Sequence, residues 1–179
     1  MKNEKITIIT DELFKIGKYE MIKFSEDNGR VIAVFKDCPL KTRFGQSNNL
    51  AESEILKCLN KEVLPYIEDI IGAENVLKFE TDLISLDGSR QYGIINTRIS
   101  IPTFDFYRLN VKLFDKYNPN KWWWLATPYT TTNHDNDQWC VCVSPFGSIS
   151  SGYVKGNRGV RPFLCFSSSI FDSLKKVNG

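Results

Sequence analysis

His134 is the only histidine of the 179-residue chain, and it stands in the most polar stretch of the second half, YTTTNHDNDQW, residues 129–139. An imidazole titrates near neutrality and can serve as a general base or a metal ligand. Catalysis would also need a nucleophile, and Cys140 and Cys142 are the nearest candidates. They alternate in WCVCV, so a strand would point both the same way, beside apolar neighbours. A buried free cysteine behaves as a small, inert hydrophobe. No Gly-x-Ser-x-Gly elbow, Walker loop or HExxH accompanies them, so no catalytic residue is assigned. Asn133, Asp135, Asn136 and Asp137 carry the oxygens that calcium prefers. Their spacing matches no EF-hand and reads as a solvated loop of Asx turns. Two adjacent cysteines and one histidine fall short of a structural zinc site. No metal or cofactor is expected.

A second surface is expected in SISSGYVKGNRGVRP, residues 148–162, where Tyr153, Lys155 and Asn157 alternate. Gly152, Gly156 and Gly159 would lend the backbone freedom around them. Tyrosine mixed with Ser, Gly and Asn is a composition that adaptable recognition surfaces favour. Arg161 stands among apolar residues in GVRPFLCF, which predicts a buried stem and a paired guanidinium. Its partner would be a carboxylate, with Asp82, Asp87 or Asp105 available, or several carbonyls. Trp122, Trp123 and Trp124 lie side by side and in a strand would alternate faces, so they form no single stacking surface. They read as core.

The elements that must position these residues follow from pattern. KITIIT and GRVIAVFKD read as strands, joined by a hairpin turn at Asn28-Gly29. Ser47, Asn48 or Asn49 can cap a helix in which Ile55, Leu56, Leu59 and Val63 recur at helical spacing, ended or kinked by Pro65. ETDLISLDGSRQYG reads as a polar connector with a tight turn at Asp87-Gly88. The run NTRISIPTFDFYRLN is strand-like and leads into a short helix over residues 103–109. From Trp122 onward, short β-type runs alternate with Gly-, Asn- and Ser-rich loops. No linker intervenes, so the expectation is one α+β domain over residues 1–179. Helices would fill the first half and a twisted antiparallel sheet the second, over residues 121–166.

Lys and Arg number 23 against 21 Asp and Glu, a net charge of +2, which gives no footprint of a dedicated nucleic-acid binder. No apolar run approaches the ~20 residues of a membrane span. MKNEKITIITDELF lacks the apolar core of a secretory leader, and five cysteines without a CxxC pair suit a reducing compartment. A cytoplasmic site of synthesis is expected.

The ordered segments SNNLAESEILKCLNKEVL, TDLISLDG, ISIPTFDFYR, WWLATP, CVSPFGSI and GVRPFLCF resemble the bacterial and phage domain family DUF6273, over about residues 19–166. The resemblance implies a C-type-lectin-like fold, shared with formylglycine-generating enzymes and with retroelement-diversified phage and bacterial proteins. It implies that Trp123, Trp124, Gly159 and Arg161 are structural, and that binding rather than catalysis is the role. The calcium motifs of lectins, EPN and WND, do not occur. The expected function is therefore non-catalytic binding of a protein or surface glycan by a phage-encoded, cytoplasmic or virion-associated protein. The expected contacts are Tyr129, Asn133, His134, Asp135, Asp137, Tyr153, Lys155 and Asn157. The alternative is a cytoplasmic phage inhibitor of a bacterial defence system, acting by protein–protein binding.

Overall fold

Alternating Ile, Leu and Val residues build strands from the start of the chain. The computed structural model describes residues 6–172; the first five residues of the stretch read above for a leader lie outside them. Four strands run as an antiparallel meander: β1 (Ile6–Ile8), β2 (Leu13–Ile16), β3 (Tyr19–Asp27) and β4 (Arg30–Phe35). Asn28 (φ 49°) and Gly29 (φ 74°) both adopt the left-handed region between β3 and β4, as a tight hairpin of this hand requires. The short β5 (Leu40–Thr42) follows.

The expected helix is present in pieces. Asn49 caps a 3-10 turn, Leu50–Glu52, and the Ser53 hydroxyl accepts from Leu56 N–H to cap α1 (Glu54–Cys58). A π-helical stretch, Leu59–Val63, then leads into α2 (Leu64–Ile71), where Pro65 occupies the first turn. Proline lacks an N–H and crowds the carbonyl four residues back. The wider π turn just before it absorbs both, so the helical run continues instead of ending. Its apolar face, Ile55, Leu59, Val63 and Ile67, is fully buried.

Four strands come next: β6 (Val76–Leu77), β7 (Phe79–Asp82), β8 (Ile94–Thr97) and β9 (Ile99–Ser100). The supposed polar connector thus begins inside β7, which pairs with β8 as a separate ribbon. Thr103 caps α3 (Phe104–Leu109), the short helix expected there, and α4 (Val111–Lys116) follows. The last strands are β10 (Trp123–Pro128), β11 (Trp139–Val143), β12 (Ile149–Tyr153), β13 (Arg158–Val160) and β14 (Phe163–Ser167).

The expected division into a helical half and a sheet half is corrected here. One sheet has the order β1-β2-β3-β4-β14-β6, with β9 also on β14; a second has the order β12-β11-β10-β13-β5. Each draws strands from both ends of the chain. Residues 121–166 therefore do not form one antiparallel sheet: β13 runs parallel to β10, and β14 belongs to the other sheet. Pro162 marks the crossover. It cannot donate to a ladder, while its carbonyl accepts from Phe35 N–H at 2.9 Å.

Arg161 sits at that seam, fully buried. None of Asp82, Asp87 or Asp105 reaches it. Its Nε donates to Phe35 O at 2.9 Å, and its Nη2 donates to Lys36 O at 3.2 Å and Tyr117 O at 3.3 Å. The guanidinium also lies 4.8 Å from the Trp123 ring and 5.2 Å from that of Phe114. Burial pulls its pKa down to about 10. One side chain thus ties the ends of β4 and α4 to the crossover between sheets.

The three tryptophans have separate surroundings. Trp123 packs beneath Tyr107 of α3 and Phe114 of α4, with ring centroids 5.7 and 5.6 Å away. Trp124 faces the opposite way, meets Phe44 edge-on at 5.5 Å and donates to Thr42 O at 3.0 Å. Trp122 is exposed. Gly159 serves space rather than a special φ: a Cβ there would lie 2.6 Å from Cys38 Sγ.

Candidate functional site

The polar loop leaves β10 at Tyr129 and returns at Trp139, and its ends are tied together by Tyr129 N–H donating to Trp139 O at 3.1 Å. A buried amide completes the closure. Asn48 Nδ2 donates to Thr130 O and to Trp139 O, both at 2.7 Å, and its Oδ1 accepts from Tyr92 Oη at 2.8 Å. Its backbone N–H donates to Asp137 O at 2.8 Å. A buried amide with every donor matched is what allows a polar loop to be rigid. The sequence placed Asn48 only among possible helix caps.

Asp87 organises the other side of the loop. Its carboxylate accepts from the Ser85 hydroxyl, from Thr130 Oγ1 at 2.5 Å and from His134 Nδ1 at 2.5 Å. Those bonds, that of Ser85 foremost, hold the carboxyl well below the usual carboxylate range. Facing an ionised carboxylate, Nδ1 must carry the proton, which leaves Nε2 toward solvent. Among the described residues no hydroxyl or thiol bonds to Nε2. His134 is a latch on Asp87 rather than a base poised on a nucleophile. Further stitches join the loop to residues 89–91. Thr131 Oγ1 donates to Ser89 Oγ at 2.9 Å, Asn133 N–H donates to Gln91 Oε1 at 3.1 Å, and the Gln91 amide reaches Thr132.

The remaining oxygens of the loop do not converge. Asp135 takes the left-handed region (φ 56°) and ends a 3-10 turn, Thr132–His134. Asn136 Oδ1 accepts from Gln138 N–H at 3.1 Å, and Asp137 Oδ1 accepts from Gln138 Nε2 at 2.6 Å. Among the described residues no three His, Cys, Asp or Glu side chains gather as a metal site would need. Cys140 and Cys142 are fully buried, and burial pushes both thiols upward.

Above this scaffold lies an aromatic row that spacing alone does not reveal. Trp139 and Tyr153 are cross-strand partners whose rings lie 5.7 Å apart, and Tyr129 joins them through its bond to Trp139 O. All three are exposed, at 50% for Tyr129, 41% for Trp139 and 42% for Tyr153. Residues directly opposite in an antiparallel pair share a face, so Trp139 and Tyr153 form one exposed pair across β11 and β12, with Tyr129 just past the end of β10. Val141 and Val143 continue that face of β11, but Tyr107 of α3 and Phe114 of α4 cover them. The helices stop short of the row. Ile149, at the other end of β12 beyond Ser151, is also exposed, as is Phe146, at 92%, in the β11–β12 turn. Leu86 lies beside the end of β10, donating its N–H to Pro128 O at 3.0 Å.

Of the sequence candidates, Tyr129 and Tyr153 each adjoin Trp139, and Asn133 and His134 lie in the loop clamped to Asp87, Ser89 and Gln91. Lys155 is exposed in the turn after β12, and Asn157 lines a different hollow with Trp122 and Arg158. The row's central ring, Trp139, is not among the sequence candidates. The signal was its place at the exact boundary between polar loop and apolar run, where alternation with buried Cys140 turns it outward.

Fold and surface together define a domain of mixed helices and strands with two main sheets and an exposed aromatic row at one sheet end. Among the described residues no helix is long and apolar enough to cross a membrane. Residues 102–168 match the family described as a domain of unknown function, DUF6273. That segment carries α3 through β14 and with them Tyr129, Trp139 and Tyr153; Asn48 and Asp87 lie outside it. No curated protein and no solved structure matched the chain.

Proposed function

We propose that the protein is a non-catalytic binding module that docks a protein partner on the row of Tyr129, Trp139 and Tyr153. The single observation that carries this reading is that row: three exposed rings on a rigid sheet end, with the covering helices stopping before it. Aromatic side chains dominate protein-binding hot spots because they bury large areas at little entropic cost. A protein suits the surface better than a glycan for two reasons. Further exposed apolar side chains, Ile149 and Phe146, lie toward the other end of β12, which is an edge strand. The nearby hydroxyls and carboxylate of Ser85, Asp87, Thr130 and Thr131 are already bonded to one another or to the loop, leaving few to receive sugar hydroxyls. The order of the WWL, GSI and GVRP motifs supports a lectin-like scaffold and a phage source. An inhibitor of a bacterial defence protein would use the same row.

The test is affinity capture from bacterial lysate, followed by titration of the purified partner against the parent and a Trp139→Ala/Tyr153→Ala variant. Affinity should fall at least tenfold, about 1.4 kcal/mol, with the melting temperature nearly unchanged. Undiminished affinity in the variant, or binding confined to a glycan array, would overturn the proposal.

A further inference from the structure

We infer that the hollow beside β5 and β13 binds a small phosphorylated ligand that carries a planar ring, of the nucleoside monophosphate kind. The hollow has a volume of about 500 Å³, and its floor and rim include Lys41, Asn120, Lys121, Trp122, Asn157 and Arg158. Three of these residues are cations and none of the lining residues is a carboxylate. Asp37 neutralises Lys121 from outside, at 2.7 Å. Among the described residues neither Lys41 nor Arg158 has a carboxylate partner. The hollow is therefore left with an uncompensated positive charge, a condition that draws an anion.

Arg158 is fixed before any ligand arrives. Its guanidinium lies 5.0 Å from the rings of both Trp122 and Trp124. Its Nε is buried with no oxygen to accept from it. Gly152 makes the room: a Cβ there would lie 2.4 Å from Nε and 2.6 Å from the Trp124 ring. A guanidinium held in place loses little freedom on binding, and its planar fork matches a phosphate better than a lysine does. Lys41 and Lys121 add point charges from the rim. Trp122, 41% exposed, supplies an apolar wall for a ring, and the amides of Asn120 and Asn157 can meet its polar edge. An anion alone would use the cations and leave the indole and the two amides idle. The combination of the two sets is what selects a phosphate joined to a ring.

The test is calorimetric titration of the full chain with adenosine monophosphate, and separately with adenosine and with inorganic phosphate. The monophosphate should bind saturably, with affinity that falls as salt is added. Adenosine and phosphate should each bind at least tenfold more weakly. Lys41→Gln with Lys121→Gln, both on exposed side chains, should weaken the monophosphate at least tenfold while the melting temperature holds. Trp122→Leu should weaken the monophosphate and leave inorganic phosphate unaffected. Absence of binding at millimolar monophosphate, indifference to the double lysine substitution, or phosphate binding as tightly as the monophosphate would each overturn the inference.

Discussion

Neighbouring tryptophans in β10 have different surroundings because successive side chains leave a strand on opposite faces. Trp124 fills the space against Phe44 and the β5 carbonyl of Thr42, whereas Trp123 packs on the other face beneath Tyr107 and Phe114. Replacing Trp124 with Ala should cost about 3–5 kcal/mol, the usual result of removing a large ring from a core. Chemical denaturation would measure it, and a loss under about 1 kcal/mol would contradict the packing described. Asp87 makes a prediction of a different kind. Its folded-state pKa lies below its ordinary value of 3.8, so its charged form is favoured by folding. The stability it contributes is present above that ordinary value and is lost as pH falls toward the folded-state value. The stability difference between the parent and Asp87→Asn should therefore be steady near neutrality and shrink below pH about 4. A difference that grows on acidification would show that the carboxylate is not held as the geometry indicates. The burial of Trp123 and Trp124 was legible from residue type, whereas Trp122, read with them as core, is exposed. The partners of Asp87 were not, because Ser85, Thr130 and His134 reach it across as many as 47 residues of chain.

At the scale of elements, local chemistry was legible wherever the signal was itself local. The Asn28-Gly29 turn and the short helix after Thr103 fall where residue type places them. Pro65 misled because a helix can absorb a proline through a π turn upstream, and nothing local announces that turn. The polar loop shows the limit most clearly. Its sequence reads as a solvated loop of Asx turns, yet Asn48 draws its two ends together from a distant segment. Asn48→Ala would leave the carbonyls of Thr130 and Trp139 without that donor, and a buried unsatisfied polar group costs about 1–3 kcal/mol. A destabilisation of about 2–4 kcal/mol is expected, together with faster amide exchange over residues 130–138. Unchanged exchange there would mean that the loop is held by other contacts.

For the whole molecule, the composition of elements was legible and their assembly was not. Strands were visible in KITIIT, in GRVIAVFKD and after Trp122, but β2, β5 and the full extent of β3 were not, and neither was the pairing across the chain. β4 with β14 and β5 with β13 are contacts between segments more than a hundred residues apart, and no periodicity encodes them. The crossover at Arg161 and Pro162 decides that assembly, and it also sets which sheet end stays uncovered by α3 and α4. The exposed aromatic row follows from this arrangement: Tyr129, Trp139 and Tyr153 come to one end of the sheet only once β10, β11 and β12 lie side by side. The most direct measurement of the proposed docking is amide exchange of the protein with and without its captured partner, followed by mass spectrometry. Protection should appear on β12 and on the segment around Trp139, and be lost in the Trp139→Ala/Tyr153→Ala variant. Protection on α1 and α2 instead, with the β11–β12 hairpin exchanging as in the free protein, would contradict the account.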